Sequence, residues 1–448
     1  MKKFELWLVF FFIVFNAFTQ DWIDIAVPAS PENGKAWELQ LDVSDDFNYQ
    51  FDAASVQTTF GDKWTNFYHN SWNGPGTTYW QYDHVSVNGS ELVIKASRNS
   101  STSKMGVPGV NAGCVTSSNR VKYPVFIESK VSVADIVLAS DFWLLSPDDT
   151  QEIDIIECYG GADQGNEYFS KFIHLSHHSF VRDPFQDYQP RDKSTWWEKA
   201  GVTSWGEYCW NKGDRKYVRV GVNWISPVHF EYYIDGELVR VLYDKAFASK
   251  IGNLWYYTYP SMTNGELDME NGYQKANAYS SDSEYSFETL KKASDVSNTS
   301  AIDPYNFQGG EGFTKELDII INIESQDWHV SAGRTPSDAD LNNPAKNSMK
   351  VDWVRVYKPV EIPTAIYDMK SQDIKVYPNP TKGDFTLTFP TTFKDQKMEL
   401  YNLLGQKLMS DNVSGTSHTV QLKDVPKGMY LLVMEKDGVK FQEKILVN

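Results

Sequence analysis

The sequence predicts an all-β protein, with a large β-sandwich followed by a smaller β-sandwich domain. Two segments, 218–224 and 229–234, alternate apolar and polar residues with a period of two, which is typical of half-buried strands. Asp235-Gly236 follows the second segment and indicates a tight hairpin turn. Further short patterns of this kind fill the middle of the chain, where helical periodicity is almost absent. Many short strands with turn signals between them predict a sandwich.

Residues 1–20 have the pattern of a secretory signal peptide. Met1-Lys2-Lys3 gives a basic start, an apolar run extends from Leu6 to Phe15, and small or polar residues follow. The apolar run is too short to cross a bilayer comfortably. We therefore expect an exported protein without a transmembrane segment in its mature chain.

Composition argues against several classes of partner. The net charge of −17 over 448 residues disfavours nucleic acid, which requires a basic surface. It also disfavours a heavily sulfated polymer, unless local arginines line the binding site. The aromatic content of 15% suits a carbohydrate binder, although aromatic rings also fill sandwich cores. Cys114, Cys158 and Cys209 are too few for a disulfide framework, so stability must come from the core.

A change of character near residue 358 predicts a second domain. The segment 359–370 begins with Pro359 and reads as a linker between a domain over 21–358 and another over 371–448. In the second domain Pro and Gly punctuate short alternating strands, which predicts a small β-sandwich.

The stretch Glu152-Ile153-Asp154-Ile155-Ile156-Glu157 says most about function. Its isoleucine spacers predict a strand, in which Glu152 and Asp154 share one face while Glu157 points to the other. One extra residue at Ile155-Ile156, a β-bulge, would return Glu157 to the face of its partners. The two glutamates would then bring their carboxyl groups to about 5–6 Å, close to the separation in retaining glycosidases.

A solvated acidic edge strand would show the same alternation of acid and isoleucine. Crowding of three carboxylates favours a catalytic site instead, because their repulsion raises at least one pKa and so suits a general acid. A fold tolerates such repulsion more readily at a working site than in a scaffold strand. Cys158 follows Glu157 directly and should face the core.

The acidic strand resembles the bulged signature of glycoside hydrolase family 16, and the resemblance covers roughly residues 21–358. Runs similar to the β-agarase branch of that family are Phe67–Gly76, Ser140–Gln151, Tyr168–Ser170, His174–His178, Arg182–Pro190 and Val351–Tyr357. The resemblance implies a jelly-roll sandwich whose concave sheet carries an open groove. The tail resembles the C-terminal sorting domain of the type IX secretion system. A carbohydrate-binding module is the alternative for the tail, which has no Trp and no obvious sugar platform.

The resemblance also implies roles for individual residues. Glu152 would be the nucleophile and Glu157 the general acid/base, with Asp154 tuning the charge of Glu152 between them. Substrate-binding residues carried over from the family are Trp72 and Trp143, which would stack on sugars, and Arg182 and Glu324, which would hydrogen-bond sugar hydroxyls.

No cofactor is expected for catalysis. On a strand His174 and His178 share a face while His177 points away, so these three histidines should not converge on a metal. Members of the family often hold a structural calcium ion, and Asp352 matches the position of its aspartate ligand.

We expect a secreted endo-β-agarase that hydrolyses the β-1,4 linkages of agarose with retention. The enzyme alternatives are a β-porphyranase or another red-algal galactan hydrolase, and the alternative from another class is a non-catalytic agar-binding protein. The type IX machinery would carry the protein to the cell surface or the medium. Residues 264–310 depart from the compact agarase pattern, and 276–301 reads as an inserted loop that could extend the groove wall.

Overall fold

The computed structural model describes residues 20–54, 58–211, 213–362, 374–402, 405–422, 425–436 and 439–448. The predicted signal peptide, apart from Gln20, and the predicted linker from residue 363 onward lie outside these ranges. The chain forms two compact units. One comprises Met1–Ala29 with Gln40–Val356, and the other comprises Ser30–Leu39 with Tyr357–Asn448.

Strands account for most of the described secondary structure. The first half of the chain contains β1 (Lys35–Leu39), β2 (Gln50–Phe51), β3 (Trp64–Thr65), β4 (Thr78–Trp80), β5 (Val85–Asn88), β6 (Leu92–Lys104), β7 (Val107–Ala112), β8 (Cys114–Ser117), β9 (Val125–Ser132), β10 (Ala139–Leu145), β11 (Gln151–Tyr159), β12 (Phe172–Arg182), β13 (Phe185–Tyr188), β14 (Trp196–Glu198), β15 (Trp210–Asn211), β16 (Asp214–Arg215) and β17 (Val218–Ser226). The second half contains β18 (His229–Ile234), β19 (Glu237–Tyr243), β20 (Ala246–Ile251), β21 (Leu254–Tyr259), β22 (Met262–Thr263), β23 (Glu266–Leu267), β24 (Met269–Glu270), β25 (Tyr273–Gln274), β26 (Asn277–Asp282), β27 (Asp318–Glu324), β28 (Ser348–Glu361), β29 (Lys375–Tyr377), β30 (Asp384–Asn402), β31 (Lys407–Gln421), β32 (Gly428–Lys436) and β33 (Val439–Val447). The α-helices are α1 (Thr58–Lys63), α2 (Trp205–Cys209), α3 (Phe287–Asp295), α4 (Asp327–Ser331) and α5 (Asp338–Leu341), and single 3₁₀ turns lie at Tyr82–His84, Phe169–Lys171 and Lys193–Thr195.

Two sheets build the first unit, as the alternating patterns predict. One sheet runs in the order β2-β5-β6-β28-β9-β17-β18-β19-β20-β21-β26, and the other in the order β13-β12-β11-β10-β27-β8-β3. Ile153 and Ile155 of β11 belong to the same buried cluster as Val220 and Val222 of β17, so the core lies between the sheets. The polar faces of β10, β11, β12 and β27 are thereby turned away from the core. The predicted all-β class is confirmed.

Strand β11 contains the predicted bulge. Its ladder with β12 pairs Asp154 with Ser176 and Glu157 with His174, so three steps along β11 match two along β12. On the other side, Asp154 pairs with Trp143 and Ile156 with Phe142, which leaves Ile155 as the extra residue.

The segment 276–301, predicted as an inserted loop, is instead a strand and a helix. Strand β26 pairs with β21 at the edge of the larger sheet, and α3 follows it. The Ser286 hydroxyl caps α3 by accepting a hydrogen bond from the Thr289 amide, and the buried faces of Leu290 and Ala293 pack into a cluster with Trp255. The prediction was wrong because Ser, Asp, Tyr and Lys dominate the segment, while the amphipathic pattern that places Leu290 and Ala293 on one face spans only nine residues.

In the second unit, β1 pairs with the end of β28, Lys35 opposite Glu361 through Leu39 opposite Tyr357. Residues 359–361, where the sequence predicts the start of a linker, are therefore still strand. The C-terminal strands form one five-stranded antiparallel sheet, β29-β30-β32-β33 with β31 on β30, around a cluster of its own.

Candidate active site

An open cleft of about 860 Å³ lies over the second sheet of the first unit. It is lined by all seven catalytic and substrate-binding residues that the sequence predicts, namely Trp72, Trp143, Glu152, Asp154, Glu157, Arg182 and Glu324. The bulge explains how β11 delivers three acids to one face, while Cys158 lies in the core as expected. The predicted separation of 5–6 Å between the two glutamate carboxyl groups stays a prediction.

Glu157 accepts hydrogen bonds from two neighbours. The Nδ1–H of His174, its partner in the β12 ladder, donates to Oε2 at 2.9 Å, and the Tyr159 hydroxyl donates to Oε1. Trp196 stacks on the His174 ring at 4.4 Å between centroids, which fixes the imidazole in place. Burial would raise the pKa of Glu157, but the bonds from His174 and Tyr159 outweigh burial and lower it. In the substrate-free site Glu157 is therefore a carboxylate.

His178 faces the other two acids of β11. Its Nε2 lies 3.6 Å from Asp154 Oδ2 and 3.9 Å from Glu152 Oε1, while its Nδ1–H donates to Asp187 at 2.8 Å. Burial and the Asp154 charge raise the pKa of Glu152 well above its usual value. Burial also raises the pKa of Asp154, to about 6. The opposing carboxylates overcome the burial of His178 and raise its pKa to about 10, so it is an imidazolium beside the two acids.

A second group of polar side chains lies behind the acids. Asn322 of β27 donates to Asp141 at 2.8 Å and to Glu324 at 3.1 Å, and its carbonyl oxygen accepts from Trp143 Nε1 at 2.6 Å. Gln326 also donates to Glu324. Burial and mutual repulsion raise the pKa of both Asp141 and Glu324. These bonds fix the indole of Trp143 at the floor of the cleft.

Aromatic rings form the walls. Trp72 is 44% exposed and packs edge-on against Tyr68, whose ring stacks at 6.2 Å on Trp143. At another part of the lining, Trp196 and Trp328 pack edge to face at 6.3 Å. The exposed rings of Trp72 and Trp328 offer apolar platforms for a flat ligand, whereas Trp143 is only 8% exposed.

Arg182 is oriented by the loop that precedes β11. Its Nε donates to the carbonyl oxygen of Asp149, and its guanidinium lies 4.2 Å from the centre of the Phe180 ring. Asp149 itself has a positive φ of 56° and accepts a 2.6 Å hydrogen bond from His69 Nε2. The other ring nitrogen of His69 is 3.1 Å from Asp318 Oδ2. Burial would lower the pKa of His69, but these two carboxylates raise it to about 9.

Sequence analysis missed several residues that contact the acids. Tyr159, Asp141 and Asp187 reach the site through the pairing of β10, β11, β12 and β13, a register that no local pattern predicts. The prediction that His174 and His178 share a face and His177 points away is correct. His174 and His178 line the cleft, whereas His177 is buried and its Nε2–H donates to the Ile302 carbonyl oxygen at 2.8 Å.

Part of the segment 264–310, which departs from the compact agarase pattern, also contributes to the cleft. Gly272 and Tyr273, between β24 and the end of β25, line it. The Gln274 side chain accepts a hydrogen bond from the backbone N–H of Arg191 at 3.2 Å. Residues 264–310 therefore contribute to the wall through Gly272 and Tyr273, whereas 276–301, the segment predicted to extend it, supplies none of the lining residues.

Asp352 lies outside the cleft. Its Oδ2 forms an ion pair with Lys130 Nζ at 2.6 Å, and its charge and that of Asp46 contribute to the raised pKa of Asp21, for which burial is the largest cause. Three carboxylates near one another suit a calcium ion, although Lys130 already supplies a positive charge there. The calcium site stays a prediction.

Comparison with known proteins gives consistent matches. Residues 37–251 match the family described as Beta-porphyranase A-D, GH16 domain, and residues 375–448 match the Secretion system C-terminal sorting domain. Beta-agarase D of Zobellia galactanivorans is 40% identical over 98% of this chain and 98% of its own length. Beta-agarase of Phocaeicola plebeius is 38% identical over 76% of this chain and 91% of its own.

A solved structure matches the first unit. The crystal structure of the catalytic domain of beta-agarase D from Zobellia galactanivorans has a TM-score of 0.69 and 44% sequence identity, and the match covers 76% of this chain and 100% of that domain.

Proposed function

Because this chain belongs to glycoside hydrolase family 16 and carries a secretion sorting domain, we propose that it is an exported endo-β-agarase. It hydrolyses the β-1,4-galactosidic linkages of agarose with retention of configuration, through a covalent glycosyl-enzyme intermediate. The observation that carries the proposal is the bulged strand β11, which presents Glu152, Asp154 and Glu157 on one face at the floor of an open cleft. An open cleft accepts the interior of a long polymer.

The two glutamates divide the chemistry. Glu152 attacks the anomeric carbon while Glu157 protonates the departing glycosidic oxygen, and Glu157 then removes a proton from the water that releases the product. Glu152 must be ionised to attack, and the His178 imidazolium beside it favours the carboxylate. Asp154 lies between the two glutamates on β11. It holds or releases a proton as the charge of Glu152 changes.

Glu157 must be protonated to act as the general acid, but in the substrate-free site it is a carboxylate. His174 is hydrogen-bonded to Glu157 Oε2, so it can pass a proton to that oxygen or take one from it. A bound polysaccharide excludes water from a site that also holds the acidic side chains of Asp141, Asp154 and Glu324. Exclusion of water favours the neutral acid, which is the form that catalysis needs.

The walls bind the sugar chain. Trp72 and Trp143 stack on apolar sugar faces, and Arg182 donates hydrogen bonds to hydroxyl groups from its free nitrogens. Glu324 is buried, with Gln326 and Asn322 as partners, and one of its oxygens accepts from each. It serves as an acceptor for a hydroxyl at the floor of the cleft.

Charge in the cleft favours agarose over porphyran. Acidic residues outnumber arginines along its lining, with Asp141, Asp149, Glu152, Asp154, Glu157, Asp187, Glu324 and Asp327 against Arg182 and Arg191. One of the two arginines, Arg182, already donates a hydrogen bond from its Nε to a backbone carbonyl oxygen. A sulfated galactan would meet net repulsion there, whereas neutral agarose would not. The relatives named above are agarases.

Export is proposed to use the type IX secretion machinery. The sorting domain at residues 375–448 directs the protein to this machinery, and the protein then acts at the cell surface or outside the cell. Within the described ranges, no helix has the length and apolar character needed to cross a membrane.

A panel of polysaccharides tests the function. Purified protein is incubated with agarose, porphyran, κ-carrageenan and laminarin, and new reducing ends are measured, with Glu152→Gln as the control that keeps the shape of the site. We expect the wild type to release at least tenfold more reducing ends from agarose than from porphyran, and we expect the variant to release none. Higher release from porphyran would favour the porphyranase alternative. Binding of agarose without release of reducing ends would leave a non-catalytic binding protein.

A further inference from the structure

We infer that Glu152, Asp154 and His178 form a binding site for a transition-metal dication, best matched by Zn²⁺, which inhibits the enzyme by competing with the polysaccharide. The inhibition rests on the proposed function, since Glu152 is the nucleophile there. The binding site itself rests only on geometry. No metal takes part in the hydrolysis proposed above.

The three side chains are close to a ligand arrangement. One nitrogen of His178 and one oxygen from each acid all lie within 4.8 Å of one another. The shorter distances from His178 Nε2 are 3.6 Å to Asp154 and 3.9 Å to Glu152. Tetrahedral zinc with bonds of about 2.0–2.1 Å separates its ligand atoms by about 3.3 Å. Shifts of about half an ångström would therefore bring the two distances from His178 to coordinating values, and the distance between the two acid oxygens is at most 4.8 Å.

Asp187 orients the imidazole as metal sites require. It accepts the Nδ1–H of His178 at 2.8 Å, which directs Nε2 toward the two acids. A carboxylate behind a ligating histidine fixes its tautomer and its orientation in most protein zinc sites. The Phe180 ring stacks on His178 with 5.1 Å between centroids, which limits rotation of the imidazole.

One carboxylate oxygen of Asp154 has no hydrogen-bond partner among the described residues and faces His178. Asp154 is 7% exposed, and its Oδ2 is buried without a hydrogen-bond partner among the described residues. His178 Nε2 lies 3.6 Å from this oxygen, too far for a hydrogen bond, whereas a metal cation would bind the oxygen directly. This oxygen is the atom of Asp154 that faces His178 Nε2.

The donor set selects the class of metal. Two carboxylates and one imidazole suit Zn²⁺, Cu²⁺ or Ni²⁺, whereas Mg²⁺ and Ca²⁺ take six or more oxygen ligands. On binding, His178 releases its Nε2 proton to solvent and the metal takes the lone pair, with no change of oxidation state. The bound cation ties up the attacking oxygen of Glu152, so sugar and metal exclude each other.

Calorimetric titration of the full chain with ZnCl₂ tests the site without any use of activity. We expect one Zn²⁺ per wild-type chain, no binding of Mg²⁺ under the same conditions, and at least a tenfold loss of affinity in His178→Asn. Asp187→Asn should lose roughly 10- to 100-fold, because it removes only the orienting carboxylate. His84→Asn is the matched control and should bind as the wild type does, since His84 contacts Asp83 and Ser97 outside the cleft.

Inhibition kinetics complete the test. Zn²⁺ should raise the apparent KM for agarose without lowering kcat, and a chelator should restore the original value. Equal affinity in the wild type and in both His178→Asn and Asp187→Asn would overturn the inference. If His178→Asn does not fold, Asp187→Asn and the kinetic competition still decide it. Hydrolysis of agarose by a wild type that binds no Zn²⁺ would reject the metal site alone. Zn²⁺ binding by a protein that cleaves no galactan would reject the proposed function alone.

Discussion

Glu157 accepts hydrogen bonds from His174 and Tyr159, which favour its carboxylate form over the acid that the proposed mechanism requires. The pKa of a general acid sets the alkaline limb of a pH–rate profile, since the acid must keep its proton until the bond breaks. Removal of either donor should therefore raise the pKa of Glu157 and move the alkaline limb of the profile to higher pH.

Tyr159→Phe should move the alkaline limb of kcat/KM to higher pH. The phenylalanine keeps the ring that packs against His329, but it removes one of the bonds that lower the pKa of Glu157. The pKa then rises, and the residue stays protonated to higher pH. The profile is measured on soluble agarose oligosaccharides. The acidic limb, which reports other groups, is the internal control, and an alkaline limb that stays in place or moves to lower pH would contradict the interpretation.

His69 stabilises the wall that carries Arg182 through its bonds to Asp149 and Asp318. Its pKa of about 9 in the fold lies above the value near 6.5 of an unfolded chain, so its protonated form stabilises the protein. That stabilisation is complete below about pH 6.5 and is lost as the pH rises through about 9. Its size is on the order of 1–3 kcal/mol, once solvent screening is allowed for.

His69→Gln should therefore lower the free energy of unfolding more at pH 6 than at pH 10. Urea denaturation at both values measures the difference, with the wild type as reference. The variant should also raise the KM for agarose more than it lowers kcat, because Arg182 loses its support and the acids do not. A loss of stability that is equal at both pH values would show that the charge of His69 has no role.

At the scale of the element, β11 is built around one unpaired residue. Without Ile155, the pairs of Asp154 with Trp143 and Ile156 with Phe142 would follow in an unbroken ladder. On the β12 side, Ile155 and Ile156 share one partner position between Ser176 and His174. Deletion of Ile155 would therefore complete both ladders while Asp154 and Glu157 keep their partners.

The Ile155 deletion should fold and retain hydrolysis. Loss of a buried isoleucine costs about 2–5 kcal/mol, offset in part by the completed ladders. A displacement of about 1 Å at the catalytic groups would cost about 10²-fold in rate. Reducing-end assays and thermal unfolding measure both effects. Activity as low as that of Glu152→Gln in a folded deletion variant would contradict this description of the bulge.

The matched control inserts one alanine between Ile156 and Glu157. The insertion turns Glu157 toward the core, because successive residues of a strand point to opposite faces. We expect this variant to be inactive on agarose even where it folds.

Local sequence patterns predict β11 well and its surroundings poorly. Alternation, isoleucine spacing and one surplus residue are properties of six consecutive residues, so the strand and its bulge can be derived from them. Asn322 and Asp141 meet across strands far apart in the sequence, and the register that unites them depends on the whole sheet. The helix α3 was missed because its amphipathic pattern spans only nine residues and its packing partners come from distant strands.

At the scale of the whole molecule, the cleft and its supporting core belong to the first unit. The lining residues extend from Tyr68 to Trp328, and the main buried cluster ends at Val356. The sequence predicted the position of the change between domains, but strand pairing carries β28 through Glu361. The end of the catalytic part is therefore best placed after Ile362.

A protein covering Gln20–Ile362 should fold and cleave agarose at the full rate. A sandwich of this size buries a sufficient core of its own. Specific activity and melting temperature are compared with those of the full chain, and a variant ending at Lys358, which removes the strand partners of residues 35–37, should melt lower. Loss of binding to solid agar with retained cleavage of soluble oligosaccharides would indicate that the tail binds polysaccharide. In the native host, deletion of the tail alone, with the predicted signal peptide at residues 1–20 kept, should leave the enzyme in the periplasm.

Azide rescue of Glu157→Ala tests the central claim, that Glu152 and Glu157 of β11 act as the nucleophile and the acid/base of a retaining hydrolase. The substrate is an aryl glycoside of an agarose oligosaccharide, whose good leaving group needs no acid. With Glu152 intact, azide should attack the glycosyl-enzyme and give a glycosyl azide of β configuration, identified by the coupling constant of its anomeric proton. An α-configured azide, or rescue of Glu152→Ala to a β-azide while Glu157→Ala stays inactive, would contradict the account.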